Sequence, residues 1–118
     1  MNETARITGW HAHVYFSEAE LDRARAVCEA VGARFGTPVG RLHVAPVGPH
    51  PTGSCQITVP PEAFSDVIGW LALNRDGLDV FVHADTGDVM ADYTQHVAWL
   101  GESQPLRLDV LRQLVEKH

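Results

Sequence analysis

Seven histidines stand in this 118-residue chain, and five of them sit in short, distinctive contexts. His11 and His13 alternate in WHAHVYF, His50 lies between prolines in VGPHP, His83 sits in FVHADTGD, and His96 sits in YTQHVAWL. A neutral imidazole offers a lone pair suited to zinc, copper, iron or nickel. It is also the side chain that most readily carries a proton near neutral pH. Each position has an ordinary reading too. His-x-His on a strand is often a half-exposed polar pair, His83 could merely end a strand, His50 could be a loop hydrogen-bonder, and His96 could be a surface helix residue. His43 reads as structural, and His118 is a terminal residue of no weight. The case for a metal site therefore rests on convergence.

The elements that must produce it follow from periodicity. Residues 10–16 read as a strand in which His11, His13 and Tyr15 share one face and Ala12, Val14 and Phe16 the other. Ser17 and Glu20 form a capping box, and Leu21, Ala24, Cys28, Val31 and Phe35 follow at helical spacing until Gly36 and Pro38. Residues 40–47 read as a second strand, 48–53 as a loop and 54–59 as a third strand. Pro60 and Pro61 open a second helix with Phe64, Val67, Ile68 and Leu71 on one face, ended by Asp76 and Gly77. Residues 78–83 read as a fourth strand, with Leu78, Val80 and Val82 on its apolar face and Asp79, Phe81 and His83 on the other. Residues 84–88 read as a turn, 89–100 as a short helix carrying Trp99 and Leu100 inward, and 106–117 as a C-terminal helix. The expected fold is α+β, a ferredoxin-like β-α-β-β-α-β sandwich with a C-terminal helical extension, in one domain over residues 1–118. Its helices cover one sheet face. The other must be covered by the C-terminal extension, a second subunit or a ligand. With the first strand taken as antiparallel to both the second and the fourth, His11, His13, His50 and His83 converge on one end of that open face.

Other chemistry finds little support. The chain has no G-x-S-x-G, no P-loop and no G-x-G-x-x-G. Cys28 and Cys55 fall on core stripes, and two cysteines make no disulfide framework. Net charge is -6, with nine scattered Lys and Arg, which argues against nucleic acid or an anionic membrane as partner. No stretch is apolar for the roughly 18 residues of a membrane span, and MNETARITGW lacks the pattern of a signal peptide. A cytoplasmic location is expected. Asp79 lies roughly 13 Å along its strand from His83 and is a poor partner for the same ion. Asp85, Asp88 and Asp92 stay open as carboxylates able to fold over the site.

WHAHVYF (10–16), VGPHP (47–51), WLALNRDGLDVFVHADTGD (70–88) and HVAWLG (96–101) together resemble the DOPA 4,5-dioxygenase family, over about residues 10–106. That resemblance implies a ferredoxin-like fold and an enzyme that opens a catechol ring beside a hydroxyl. It also implies that His11, His13, His50 and His83 match the family's histidine-bearing motifs. Two departures touch the pocket. HADTGD replaces a family HPNTGD, and Tyr93 stands where a histidine is expected, with His96 close by.

The chemistry so implied is extradiol cleavage of DOPA or a related catechol by O2 at Fe(II), with zinc as another divalent ion the site could take. His11, His13 and His83 are the expected ligands. His50 is the expected acid/base, assisted by His96 or Tyr93, although the division between ligands and proton carrier stays open. Trp10, Tyr15 and Phe81 could stack on the ring, and Arg75 could hold a substrate carboxylate. Two rival classes remain: a non-catalytic dimeric ferredoxin-like module around a small ligand, and a zinc hydrolase using the same histidines. An uncovered sheet face also makes a homodimer an expectation.

Overall fold

A computed structural model describes residues 3–117, so His118 lies outside the described residues. Four strands form one antiparallel sheet: β1 (Gly9–Phe16), β2 (Gly53–Val59), β3 (Val80–Asp85) and β4 (Val97–Leu100), in the order β2-β1-β3-β4. Four helices accompany them: α1 (Leu21–Phe35), α2 (Phe64–Asn74), α3 (Val89–Thr94) and α4 (Leu108–Glu116). None of the described helices is long and apolar enough to cross a membrane.

The core is built as the alternation predicts. Ala12, Val14 and Phe16 of β1, Cys55, Ile57 and Val59 of β2, and Leu78, Val80 and Val82 at β3 face α1 and α2. Those helices answer with Ala24, Val27, Cys28, Val31, Val67 and Leu71, all buried. Burial of aliphatic side chains on this scale is the main drive to fold. Both cysteines are core residues, as expected, and free. The capping box also forms: the Ser17 amide donates to Glu20 Oε1 at 2.8 Å ahead of α1.

The three central strands keep the ferredoxin-like order, while both sheet edges depart from expectation. Residues 40–47 are not a strand. Only isolated bridges, Val39 to Ile57 and His43 to Ser54, join that stretch to β2. Pro38 before it and Pro46 within it have no amide to give a ladder. Because it runs antiparallel to β2, which is itself antiparallel to β1, the stretch runs parallel to β1 rather than antiparallel. Residues 89–100 are not one helix. After α3 the chain turns and Val97–Leu100 pairs with β3, placing Trp99 opposite Phe81. The exposed edge of β3 offers unpaired backbone groups, and a short run with Val and Trp satisfies them.

The open face is covered from within the chain. Residues 44–52 and α3 lie over it, and α4 braces them. The Arg107 amide at the start of α4 donates to Pro49 O at 2.7 Å, next to His50. Where the loop enters β2, Gly53 is pressed against its neighbours: a Cβ there would stand 2.7 Å from Phe16 O and 2.9 Å from the Phe16 ring. Gly69, exposed in α2, has nothing within 4 Å of a built Cβ. Gly53→Ala should therefore cost about 1–3 kcal/mol through overpacking. Gly69→Ala should stabilise by about 0.5–1 kcal/mol through helix propensity. Urea unfolding of the two variants beside the parent checks both signs.

Candidate metal centre

The register of β1 on β3 builds the site. His11 pairs with His83 and His13 with Phe81, so these four side chains stand on the open face while Ala12 and Val82 face the core. Directly opposed residues in an antiparallel pair hold their Cβ atoms about 4.5–5.5 Å apart, and diagonal neighbours remain within reach of long rings. Accordingly the His83 ring lies 5.1 Å from that of His11 and 5.1 Å from that of His13. One ring nitrogen from each of His11, His13 and His83 falls within 4.8 Å of the others. No carboxylate belongs to this group among the described residues.

Hydrogen bonds orient the rings. His83 Nδ1 is 2.9 Å from Ala84 O. A carbonyl only accepts, so Nδ1 carries the proton and Nε2 holds a free lone pair. His83 Nε2 is 3.1 Å from His13 Nε2. In the metal-free protein His13 must then donate, since two bare lone pairs would repel. Two nitrogens about 2.1 Å from one ion, at 90–110° to each other, would be separated by about 3.0–3.4 Å. The spacing of His13 and His83 fits that requirement, and an all-imidazole donor set suits iron or zinc.

His50 arrives from the other end of β1, where Gly53 pairs with Phe16. The four histidines thus lie along a row instead of meeting at one strand end. The His50 ring packs 4.2 Å from that of His13, and its Nδ1 is 2.7 Å from Tyr15 Oη. Tyr93 of α3 lies over the row, 4.1 Å from the His83 ring and 6.3 Å from that of His50. Phe81 and Trp99, with rings 4.7 Å apart, continue the aromatic wall beside Tyr15. Trp99 was expected on a helix. A four-residue strand is too short to announce itself by alternation, so its place in the site had no clear sequence signal.

Three expected site residues lie elsewhere. Trp10 is one residue from His11, so strand parity turns it to the helix side, where its ring meets Phe64 at 4.5 Å. Arg75 ends α2 and donates to Ala72 O at 2.8 Å, away from the histidines. His96 is held by Asp92 at 2.9 Å and lines a separate cavity of about 210 Å³ with Trp10 and Ala84. Asp92 also accepts from the Thr86 amide and hydroxyl, Asp88 caps α3 through the Ala91 amide, and Asp79 accepts from Gln104 and the Glu102 amide. These carboxylates are engaged in structure.

Three of the four histidines in the row are buried, with His13 2%, His83 3% and His50 6% exposed, while His11 is half-buried. Burial pushes the pKa of His13 well down, and the surrounding imidazoles push it further. Burial lowers His11 and His83 as well, against the pull of Asp85 and Asp92. His50 is pushed down from 6.5 to about 4 by burial and by His83 and His43. Burial raises Tyr15 and Tyr93, which stay protonated. At neutral pH the histidines are therefore uncharged, the form a metal requires. With folded pKa values below 6.5, the unfolded chain takes up more protons as the solution is acidified. Stability of the metal-free protein should be full above about pH 6.5 and fall as the pH drops toward 4. His50 alone should account for a few kcal/mol of that loss. Urea midpoints in EDTA between pH 7.5 and 4.5 measure it, and His50→Gln should flatten the profile.

Comparison with known proteins agrees with this picture. Residues 10–110 match the model of the Dopa 4,5-dioxygenase family. The DOPA 4,5-dioxygenase of Amanita muscaria is 38% identical over 113 residues, covering 88% of this chain and 50% of that protein. An uncharacterized 21.2 kDa protein of Botryotinia fuckeliana is 30% identical over 117 residues, covering 89% of this chain and 64% of that one. The chain thus spans about half to two-thirds of these curated relatives. A crystal structure from Nostoc punctiforme, of a "putative dioxygenase", superposes with a TM-score of 0.93 at 46% identity, covering 97% of this chain and 99% of that one. With the family model matched over residues 10–110, the chain belongs to the Dopa 4,5-dioxygenase family.

Proposed function

We propose that this protein is an extradiol ring-cleaving dioxygenase acting with O2 on DOPA or a related catechol, with non-haem Fe(II) held by His11, His13 and His83. The observation that carries the reading is the group of three imidazole nitrogens within 4.8 Å, in a chain of this family. Iron held there by His11, His13 and His83 would supply Lewis-acid activation of the catechol and electron transfer to O2. In the overall reaction both oxygen atoms enter the product. The O–O bond and the ring C–C bond beside one hydroxyl break, leaving an aldehyde and a carboxylate.

His50 serves as the acid/base. It is neutral at pH 7 and packed against His13, within reach of a phenol bound there. To take the phenolic proton at Nε2, it must carry its own proton on Nδ1 and donate to Tyr15 Oη, 2.7 Å away. The charged ring keeps that same bond, so Tyr15 holds His50 in place through the cycle and the proton can return to oxygen as the ring opens. Tyr93 and Phe81 flank the row and exclude water from the reacting ring. Tyr93 is better placed than His96 to assist, because it touches both His50 and His83.

The test is anaerobic loading with Fe(II), followed by DOPA and a panel of catechols in air, reading oxygen uptake and yellow product. His13→Ala should lose bound iron and activity together. His50→Gln should keep iron but lose about 10²–10⁴-fold in turnover, the usual worth of a general acid/base. Iron-loaded protein that consumes no oxygen with any catechol would end this reading.

A further inference from the structure

A second cavity, of about 240 Å³, adjoins the histidine row on the β2 side, with His13, His50, Arg41, His43, Ser54 and Gln56 among its lining residues. That volume lies just below the roughly 300–1,000 Å³ of drug-sized sites and suits a single-ring ligand. Pairing explains its walls. Gln56 is the partner of His13 and Ser54 of Tyr15, so both stand on the face that carries the histidines. The edge stretch is tied alongside by Gly40 N to Gln56 O at 2.8 Å and by the reciprocal bonds of His43 and Ser54, each 2.9 Å. This places the exposed Arg41 at the rim.

The charge of the cavity is unlike that of the chain. Fifteen Asp and Glu outnumber nine Lys and Arg overall, yet no carboxylate lines this space. Among the described residues, Arg23 meets Glu20, Arg25 meets Asp22 and Arg75 meets Ala72 O. The Arg41 guanidinium has no such acceptor. Its planar fork of donors matches a carboxylate, the exposed Gln56 amide adds neutral donors beside it, and the buried Ser54 hydroxyl adds one deeper in.

We infer that Arg41 determines substrate choice by pairing with an anionic substituent, a carboxylate above all, on the ring of a catechol entering beside His13 and His50. The inference rests on the catechol reading above. Arg41 fills the role that sequence assigned to Arg75, which points elsewhere. It is a binding residue at the rim and touches none of the bonds that change.

Calorimetric titration of iron-loaded protein under argon tests this without turnover. The ligands are protocatechuate, 3,4-dihydroxyphenylacetate and caffeate, which carry the carboxylate at increasing reach, and 4-methylcatechol, which has none. At least one acid should bind about tenfold tighter than 4-methylcatechol, one charge-assisted bond at a wet rim. Arg41→Ala should remove that preference while leaving 4-methylcatechol binding unchanged, Arg41→Lys should restore part of it, and Arg25→Ala on α1 should change neither. The inference is overturned if Arg41→Ala keeps the preference, if it weakens acid and neutral ligand alike, if Arg25→Ala acts equally, or if no acid outbinds 4-methylcatechol. If the parent protein binds no catechol at all, the catechol reading fails first and takes this inference with it.

Discussion

The pairing of His11 with His83 across β1 and β3 is the constraint on which the rest of this molecule depends. Side chains alternate along a strand, so a one-residue slip would carry His11, His13 and Tyr15 into the core and turn Ala12 and Val14 to the outside. The aliphatic face forbids that slip. Ala12, Val14 and Val82 are fully buried against α1 and α2, and moving them into water would forfeit most of the core. Apolar packing on one side of the sheet thereby sets the spacing of ring nitrogens on the other.

That spacing comes at an energetic cost. Three nearly buried imidazoles and the Tyr15 phenol lie where water would otherwise solvate them, and the histidines respond by remaining neutral. Their hydrogen bonds soften the cost: His83 Nδ1 donates to Ala84 O, His13 meets His83, and Tyr15 meets His50. A bound cation would convert this set of aligned lone pairs from a liability into a source of stability, since metal binding favours the folded state in which the ligands are already assembled. The buried carboxylate of Asp92 is occupied by the Thr86 amide and hydroxyl and by His96.

The second sheet face owes its cover to the loop of residues 44–52 and to the C-terminal third of the chain. β4 extends the sheet past β3, α3 brings Tyr93 over the histidines, and α4 clasps the loop of His50 through Pro49. In a bare ferredoxin-like unit this face would stand open. Here the histidines are flanked by the rings of Phe81, Trp99 and Tyr93 on one side and by a cavity lined by Gln56, Ser54 and Arg41 on the other. Loops at such a rim can vary without disturbing the fold, so they are where substrate preference can diverge.

By itself the sequence determined the parity of β1 and β3, the two covering helices, the core, and the fact that His11, His13 and His83 share a face. Alternation and helical spacing are local properties, and strong aliphatic faces make them legible. Proline and glycine likewise marked the loop of His50. Tertiary structure decided the rest. The fate of residues 40–47 and 97–100 turned on which sheet edge had unpaired backbone to offer, a property of neighbours distant in the chain. Trp10 looked like a partner for an aromatic ring because of its type and place, but parity sends it to Phe64. Arg41 and Arg75 are alike in sequence, and only folding places one at the rim of the histidine cavity and the other at the end of α2. A side chain's chemistry is written in its type, whereas its partners are set by the path of the whole chain.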